Sequence, residues 1–173
     1  MATLPSSAHP TERLRYNLDR MECRNGQLTE KPLGGVKHHD WQFALTAVLH
    51  HLTKASGYKT TQEWSVTHGS KWAVPDITVA FPGYSVDHRG YLIGPAYLCI
   101  EIVSEAQRLS TLFNKCEDYH AWGTKFCWVI DPDEPAFFEY HAGSTIVPVK
   151  QELSTDLFRV KIADLLAEVE QLS

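Results

Sequence analysis

The chain has 173 residues, of which 43% are hydrophobic and 21% are charged, and it carries a net charge of −5. These values exclude a disordered or fibrous protein and suggest one domain with a sizeable core. An acidic balance also argues against a non-specific nucleic-acid binder, which usually carries a basic stripe, although a nuclease can confine its basic residues to a cleft.

The sequence offers no membrane-spanning or secretory signal. No apolar run approaches the roughly 20 residues that a bilayer requires, and the N-terminal MATLPSSAHPTERLRYN lacks an apolar middle region. The cysteines Cys23, Cys99, Cys116 and Cys127 form no C-x-x-C pair and no compact ligand spacing. We therefore expect a soluble, cytoplasmic protein with free thiols and no membrane partner.

The N-terminal third predicts a tail, a helix and a hairpin. Residues 1–10 are rich in proline and serine and indicate a flexible tail ahead of a single domain over 11–173. Residues 11–21 predict a short helix. A strand-like stretch over 21–31 contains Asn25-Gly26, a strong hairpin signal.

The remaining pattern alternates helices and strands. Leu45, Leu49 and Leu52 recur at helical spacing and predict a helix over 38–54. Further predicted elements are strands at 61–67, 74–81 and 96–103, a long loop at 83–95, a helix at 105–122, a strand at 125–130, hairpin segments at 136–141 and 145–150, a strand near 157–160 and a terminal helix at 161–172. This order predicts an α/β (α+β) fold with a central mixed β-sheet flanked by helices.

Two carboxylates interrupt otherwise apolar strands. Asp76 lies in VPDITVAF (74–81) and Glu101 lies in AYLCIEIVS (96–104). Burying an uncompensated charge is costly, so acids on core elements are normally paired or bind a metal. If the two strands are neighbours, Asp76 and Glu101 can reach one hard cation, and oxygen ligands suit Mg²⁺ or Mn²⁺.

A lysine follows on the next helix. Leu112, Lys115, Tyr119 and Trp122 fall on one helical stripe that faces inward, and Lys115 is its charged member. Two acids, a divalent cation and an ammonium make a competent centre for phosphodiester hydrolysis. A buried ion pair between Glu101 and Lys115, or a lysine that extends to solvent, is the structural alternative.

These residues carry a family resemblance. Pro75-Asp76 followed by Glu101 in an apolar strand resembles the PD-(D/E)xK nuclease superfamily, and more specifically the Uma-two (Uma2) family of restriction-endonuclease-like proteins. The other matching stretches are NGQL (25–28) with Glu30, His38, EIVS (101–104), Lys115 with Tyr119, and WVIDP (128–132). The resemblance covers roughly residues 20–140 and implies a restriction-endonuclease-like core, a divalent metal and DNA as substrate.

The chain departs from the superfamily pattern at the third motif position. Val103 stands where a lysine is usual, and Lys115 on the following helix is the matching lysine in the Uma-two pattern. The serine–proline that the family usually carries after the acid strand is also absent, because Glu105 follows Ser104.

Four further residues are candidate accessories. Glu30 either assists the metal or is a solvated charge. His38 and Gln42 extend the apolar stripe of their helix toward the cleft, with a helix-terminal histidine as the alternative for His38. Tyr119 would orient Lys115 or a phosphate.

The sequence thus predicts a metal-dependent DNA endonuclease in which Asp76 and Glu101 hold Mg²⁺ or Mn²⁺ and Lys115 completes the centre. Cleavage of both duplex strands would favour a homodimer. Two alternatives remain: an inactive nuclease-fold protein that binds nucleic acid or a protein partner, and a small-molecule metal hydrolase using the same residues.

Overall fold

The computed structural model describes residues 20–105 and 107–172, so the predicted tail and most of the predicted helix over 11–21 lie outside the described residues. The α-helices in that part of the chain are α1 (Val36–Thr53), α2 (Leu109–Ala121) and α3 (Ile162–Leu172). The strands are β1 (Met21–Arg24), β2 (Gln27–Glu30), β3 (Lys59–Gln62), β4 (Val66–His68), β5 (Lys71–Ala73), β6 (Ile77–Ala80), β7 (Ser85–Val86), β8 (Leu92–Ile93), β9 (Leu98–Ile102), β10 (Phe126–Asp131), β11 (Ala136–His141), β12 (Thr145–Val149), β13 (Glu152–Ser154) and β14 (Arg159–Lys161).

The central sheet is mixed, as predicted. Its strand order is β12-β11-β10-β9-β6-β3, and β9 and β10 are parallel while all other neighbours are antiparallel. Four strands of this sheet and the two helices beside them follow one another along the chain in the order α1, β3, β6, β9, α2, β10. This is the predicted order of a helix, three strands, a helix and a strand.

Each face of the central sheet buries its own apolar core. Ile77 and Ile100 point to the face covered by α1 and α3, where they pack with Leu45. Cys99 and Val129 point to the opposite face, where they pack with Leu112 of α2. Side chains alternate along a strand, so β6 and β9, which are covered on both sides, are apolar at almost every position.

A second sheet also has six strands, but it is smaller because each strand is only two to four residues long. Its order is β2-β1-β5-β4-β8-β7. The hairpin between β1 and β2 turns at Asn25 and Gly26, with φ values of 49° and 73°, as the Asn-Gly signal predicts. The second core continues into this sheet through Val66 and Leu92.

Several elements differ from the predictions. The helix predicted at 105–122 begins only at Leu109, and the short strands β5 and β13 were not predicted. The strand predicted at 61–67 is two strands in different sheets, β3 and β4, because Glu63 adopts a left-handed φ of 50° between them. The predicted loop at 83–95 contains the short strands β7 and β8. Arg20 lies in a turn and Met21 begins β1, so the predicted helix over 11–21 does not extend to its last two residues.

Two other observations concern helix hydropathy and the cysteines. No helix among the described residues is long and apolar enough to cross a membrane. All four cysteines are free, and Cys99, Cys116 and Cys127 are buried, which agrees with the expectation of unpaired thiols.

Leu45 tests the core under α1. It is fully buried between α1 and the central sheet. Leu45→Ala should lower the free energy of unfolding by about 2–5 kcal/mol through lost burial and a residual cavity. Phe43→Ala, on the same helix but 59% exposed, should change it by less than about 0.5 kcal/mol. Urea denaturation followed by tryptophan fluorescence measures both, and equal losses would contradict the packing.

Candidate active site

The pairing of β6 with β9 brings the two acids together. Ile77 lies opposite Ile100 in the antiparallel register, and continuing that register by one residue places Asp76 opposite Glu101. Asp76 precedes the first residue of β6, whereas Glu101 lies inside β9. Both side chains are 1% exposed, so the two carboxylates are buried next to each other at the end of the β6–β9 pair.

Asp76 is surrounded by positive and hydrogen-donating groups. Its Oδ2 accepts a hydrogen bond from the backbone N–H of Ile102 at 2.6 Å. Its Oδ1 lies 2.7 Å from Lys31 Nζ and 3.2 Å from His38 Nε2. Burial alone would raise the pKa of Asp76, but the Lys31 ammonium and the His38 imidazole outweigh burial and lower it. Asp76 is therefore a carboxylate at neutral pH.

Glu101 has a different environment. Its Oε1 lies 2.8 Å from Lys115 Nζ and accepts a hydrogen bond from the Tyr119 hydroxyl at 2.5 Å. Its Oε2 is buried and has no hydrogen-bond partner in the described part of the chain. Burial raises the pKa of Glu101 to about 7; the Lys115 ammonium opposes this rise, and the negative charge of Asp76 adds to it.

Lys115 is held between two carboxylates. It is 2% exposed, and its Nζ lies 2.8 Å from Glu101 Oε1 and 2.8 Å from Glu22 Oε1. Glu22 comes from β1 of the smaller sheet and also accepts a hydrogen bond from the Val74 N–H at 2.9 Å. Burial would lower the pKa of Lys115, but Glu101 and Glu22 raise it, so Lys115 is a firmly protonated ammonium.

A glutamine and a glutamate extend the network toward solvent. Gln42 Nε2 donates to the backbone oxygen of Asp76 at 2.8 Å and to Glu63 Oε1 at 3.0 Å. Lys31 Nζ also lies 3.0 Å from Glu63 Oε1. The Glu63 side chain is 48% exposed, so Glu63 forms the open side of the cluster.

The position of His38 depends on Gly34, four residues earlier and just ahead of α1. A β-carbon on Gly34 would lie 2.4 Å from His38 Cδ2, closer than atoms tolerate. Glycine therefore leaves the space that the buried imidazole occupies beside Asp76. Burial would lower the pKa of His38, but its hydrogen bond to Asp76 raises it.

The structure brings most of the predicted site residues into one network. Its predicted members are Asp76, Glu101, Lys115, Tyr119, His38 and Gln42. Glu30 is not among them: its side chain is exposed, and none of the hydrogen bonds or ion pairs of residues 20–105 and 107–172 places it in the network. The neighbouring Lys31 enters the site instead, because side chains alternate around the end of β2.

The sequence did not point to Glu22, Lys31 or Glu63. Glu22 lies on β1 and Lys31 directly follows β2. The sequence of these strands alone predicts that both charged side chains are exposed to solvent. Their burial, 5% exposed in both cases, is the signal that identifies them. The signal that distinguishes Glu63 is its left-handed backbone conformation, which is uncommon for residues other than glycine.

The acid pair fits a divalent cation by its donor chemistry. Asp76 is ionised, and Glu101 Oε2 is a buried oxygen without a hydrogen-bond partner among residues 20–105 and 107–172. Carboxylate oxygens are hard donors of the kind that Mg²⁺ and Mn²⁺ prefer. The donor atoms of His38, Glu63 and Asp76 also lie within 4.8 Å of one another.

The raised pKa of Glu101 makes a prediction about stability. A carboxyl whose pKa rises from 4.5 to about 7 on folding contributes most favourably below pH 4.5, and this contribution is lost as the pH rises toward 7. The test compares the free energy of unfolding of the wild type with that of Glu101→Gln in EDTA. The difference, wild type minus variant, should decrease as the pH rises from 4.5 to about 7. Urea denaturation at each pH measures it, and a difference that grows with pH would show that the folded protein favours the charged form.

A family model described as "Putative restriction endonuclease", Uma2, matches residues 10–166. Comparison with curated proteins gives no match.

Solved structures give a fold relative. A structure from Anabaena variabilis ATCC 29413, named "a putative nuclease belonging to DUF820", has a TM-score of 0.75 at 22% identity, covering 86% of this chain and 90% of that chain. A cryo-EM structure of a DrdV–DNA complex has a TM-score of 0.38 at 18% identity, covering 76% of this chain and 11% of that chain, and similarity this low carries no argument.

The first of these structures shows that this chain shares the restriction-endonuclease-like fold predicted from the sequence. The family match begins in the N-terminal region, ends within α3 at residue 166 and includes every member of the buried network. The chain belongs to the Uma2 family.

Proposed function

We propose that this protein is a metal-dependent endonuclease that hydrolyses phosphodiester bonds in DNA, of the PD-(D/E)xK type with its lysine on α2. The observation that carries the proposal is the buried pair of carboxylates, Asp76 and Glu101, at one end of the adjacent strands β6 and β9, with Lys115 in contact with Glu101. Buried carboxyl groups with strongly shifted pKa values are typical of functional sites. Family membership supports a nuclease.

Asp76 and Glu101 are the residues that would hold Mg²⁺ or Mn²⁺. When bound, such a cation supplies Lewis-acid stabilisation of the negative charge that develops on a phosphate. Asp76 is already ionised by its neighbours, and the backbone N–H of Ile102 fixes the orientation of its carboxylate. Glu101 presents Oε2 as the oxygen that is free of protein partners among the described residues.

Lys115 acts on Glu101. Its ammonium keeps its proton and lies between Glu101 and Glu22, so it stabilises the ionised form of Glu101 and fixes the position of Oε1. The Tyr119 hydroxyl donates a hydrogen bond to the same oxygen and further restricts rotation of the Glu101 carboxylate. In this arrangement both residues position the carboxylate, and neither serves as a general base.

DNA is the proposed substrate, and a homodimer is the proposed assembly. Two copies of one site, related by a twofold axis, match the two antiparallel strands of a duplex. The net charge of −5 means that any attraction to DNA must be local.

A second candidate function is binding of nucleic acid or a protein partner without cleavage. The burial of Lys115 favours it, because an ammonium that is 2% exposed and paired with two carboxylates does not reach a phosphate in this arrangement. The assay below separates the two functions.

Plasmid nicking tests the nuclease. The wild type should convert supercoiled DNA to open-circular DNA with Mg²⁺ or Mn²⁺ and not with EDTA. Asp76→Asn and Glu101→Gln should each lower the rate by at least about 100-fold, since metal-assisted charge stabilisation is worth several kcal/mol. Lys115→Met should lower it by about tenfold or more.

The matched control is Glu168→Gln, purified in parallel. Glu168 is exposed on α3, away from the network, and its replacement should leave the rate unchanged. Equal nicking by the wild type and the Asp76 and Glu101 variants would exclude this site as the source of activity. Metal-independent DNA binding without nicking would favour the second candidate.

A further inference from the structure

A second group of side chains with atoms of the kinds that ligate metals lies on one side of Asp76. His38, Glu63 and Asp76 each offer a ligand atom, and these atoms all lie within 4.8 Å of one another. The three residues come from α1, the β3–β4 connection and the start of β6, so the fold brings them together from distant parts of the sequence. His38 and Asp76 are buried, whereas Glu63 is open to solvent.

A protein cation lies among these donors. Lys31 Nζ is 2.7 Å from Asp76 Oδ1 and 3.0 Å from Glu63 Oε1. The buried Asp76 Oδ1 faces both the Lys31 ammonium and the His38 imidazole, the latter at 3.2 Å. The position between Asp76 and Glu63 therefore selects positive charge.

We propose that Asp76, Glu63 and His38 form a binding site for a transition-metal dication such as Mn²⁺, and that the cation binds in exchange with the Lys31 ammonium. The inference rests on the proposed function through Asp76, which both ligand sets share. It adds Glu63 and His38 as ligands, and it names Lys31 as the group that occupies the same position when no dication is bound.

The donor set favours Mn²⁺ over Mg²⁺. Carboxylate oxygens bind either ion, but an imidazole nitrogen is a softer donor that suits transition metals and that Mg²⁺ rarely takes. His38 is therefore the ligand that makes the site select Mn²⁺ over Mg²⁺. A site made of Asp76 and Glu101 alone would not distinguish them on this basis.

Neighbouring groups hold the donors in place. Gln42 Nε2 donates to Glu63 Oε1 and to the backbone oxygen of Asp76, so one amide fixes two of the three ligand residues. The Glu63 N–H donates to the same Asp76 oxygen at 3.1 Å. Gln42 is thus a positioning residue for this site.

In the proposed exchange the Lys31 side chain moves while its backbone stays in place. The backbone of Lys31 is tied to Arg20 by a hydrogen bond from the Lys31 N–H at 2.8 Å and by Arg20 Nη2, which donates to the Lys31 oxygen at 2.6 Å. The four-carbon stem of lysine can rotate while the backbone stays fixed. The 48% exposure of the Glu63 side chain provides the open direction for the departing ammonium.

Mn²⁺ titration of the full chain tests the ligand set without any measurement of cleavage. The EPR signal of free Mn²⁺ reports binding, and Mg²⁺ is then added as competitor. Glu63→Gln and His38→Gln should each weaken Mn²⁺ binding by at least about tenfold. His38→Gln should also reduce the preference for Mn²⁺ over Mg²⁺, because it removes the nitrogen donor.

Two exposed residues supply matched controls. His51 lies on α1 and Glu168 lies on α3, and both side chains are exposed to solvent. His51→Gln and Glu168→Gln should therefore leave the Mn²⁺ affinity unchanged. If Glu101→Gln abolishes Mn²⁺ binding while Glu63→Gln and His38→Gln leave it intact, the inference is overturned and the proposed function stands. If Mn²⁺ binding depends on Glu63 and His38 but plasmid DNA is not cut, the inference stands and the proposed function fails.

Lys31→Met tests the exchange. Removing the ammonium leaves the carboxylates of Asp76 and Glu63 without their resident cation, so Mn²⁺ affinity should rise by at least about tenfold. Mn²⁺ should also raise the thermal unfolding temperature more in Lys31→Met than in the wild type, since a ligand that binds the folded state stabilises it.

Lys31→Gln gives a second variant, checked by circular dichroism, in case the methionine variant folds poorly. It should show the same direction of change in Mn²⁺ affinity. Unchanged or weaker Mn²⁺ binding in a folded Lys31 variant would show that the ammonium and the dication do not share a position.

Discussion

The structure depends on how two buried carboxylates are compensated. Asp76, directly before β6, and Glu101, on β9, lie side by side, where the low dielectric and their mutual repulsion oppose ionisation of both. Lys31 and Lys115 supply separate ammonium groups, one for each acid. The outcome is unequal: the pKa of Asp76 is lowered, whereas the pKa of Glu101 rises to about 7. Neighbouring acids in environments this different are typical of functional sites.

This compensation explains why the smaller sheet is required. Lys31 follows β2, and Glu22 on β1 is the second partner of Lys115. The central sheet alone would leave Asp76 without its lysine and Lys115 with one carboxylate. Breaking a buried pair by removing one partner is strongly destabilising. The β1–β2 hairpin is therefore part of the site as well as part of the fold.

The site also has a rigid side and an open side. Lys115, Glu101 and Tyr119 are fully buried and connected by short contacts. On the other side of the network, Lys31 contacts the half-exposed Glu63. A ligand that enters from solvent would meet Glu63 and Lys31 before it reached Lys115. For this reason the exchange of cations is assigned to Lys31, whereas Lys115 is assigned a positioning role.

Local sequence patterns predicted much of the fold. The leucine spacing of α1, the apolar runs of β6 and β9 and the Asn25-Gly26 turn each carry their own physical signal, and the structure has each element close to its predicted position. The break at Glu63 was not predicted, because residues 61–67 alternate like one strand and a single left-handed residue leaves no trace in that pattern. The short strands β7 and β8 were missed for a similar reason, since two-residue strands have no periodicity.

The sequence by itself determined that Asp76, Glu101 and Lys115 are anomalous, because charged residues on apolar strands and on the inward stripe of a helix conflict with burial. It could not determine their partners. Glu22, Lys31 and Glu63 lie on short or exposed-looking segments where a charge is ordinary, and the antiparallel packing of distant segments brings them within 3.0 Å of the site residues. Only the tertiary structure decided which lysine faces which acid, because charge pairing depends on distances through space that a linear pattern does not contain.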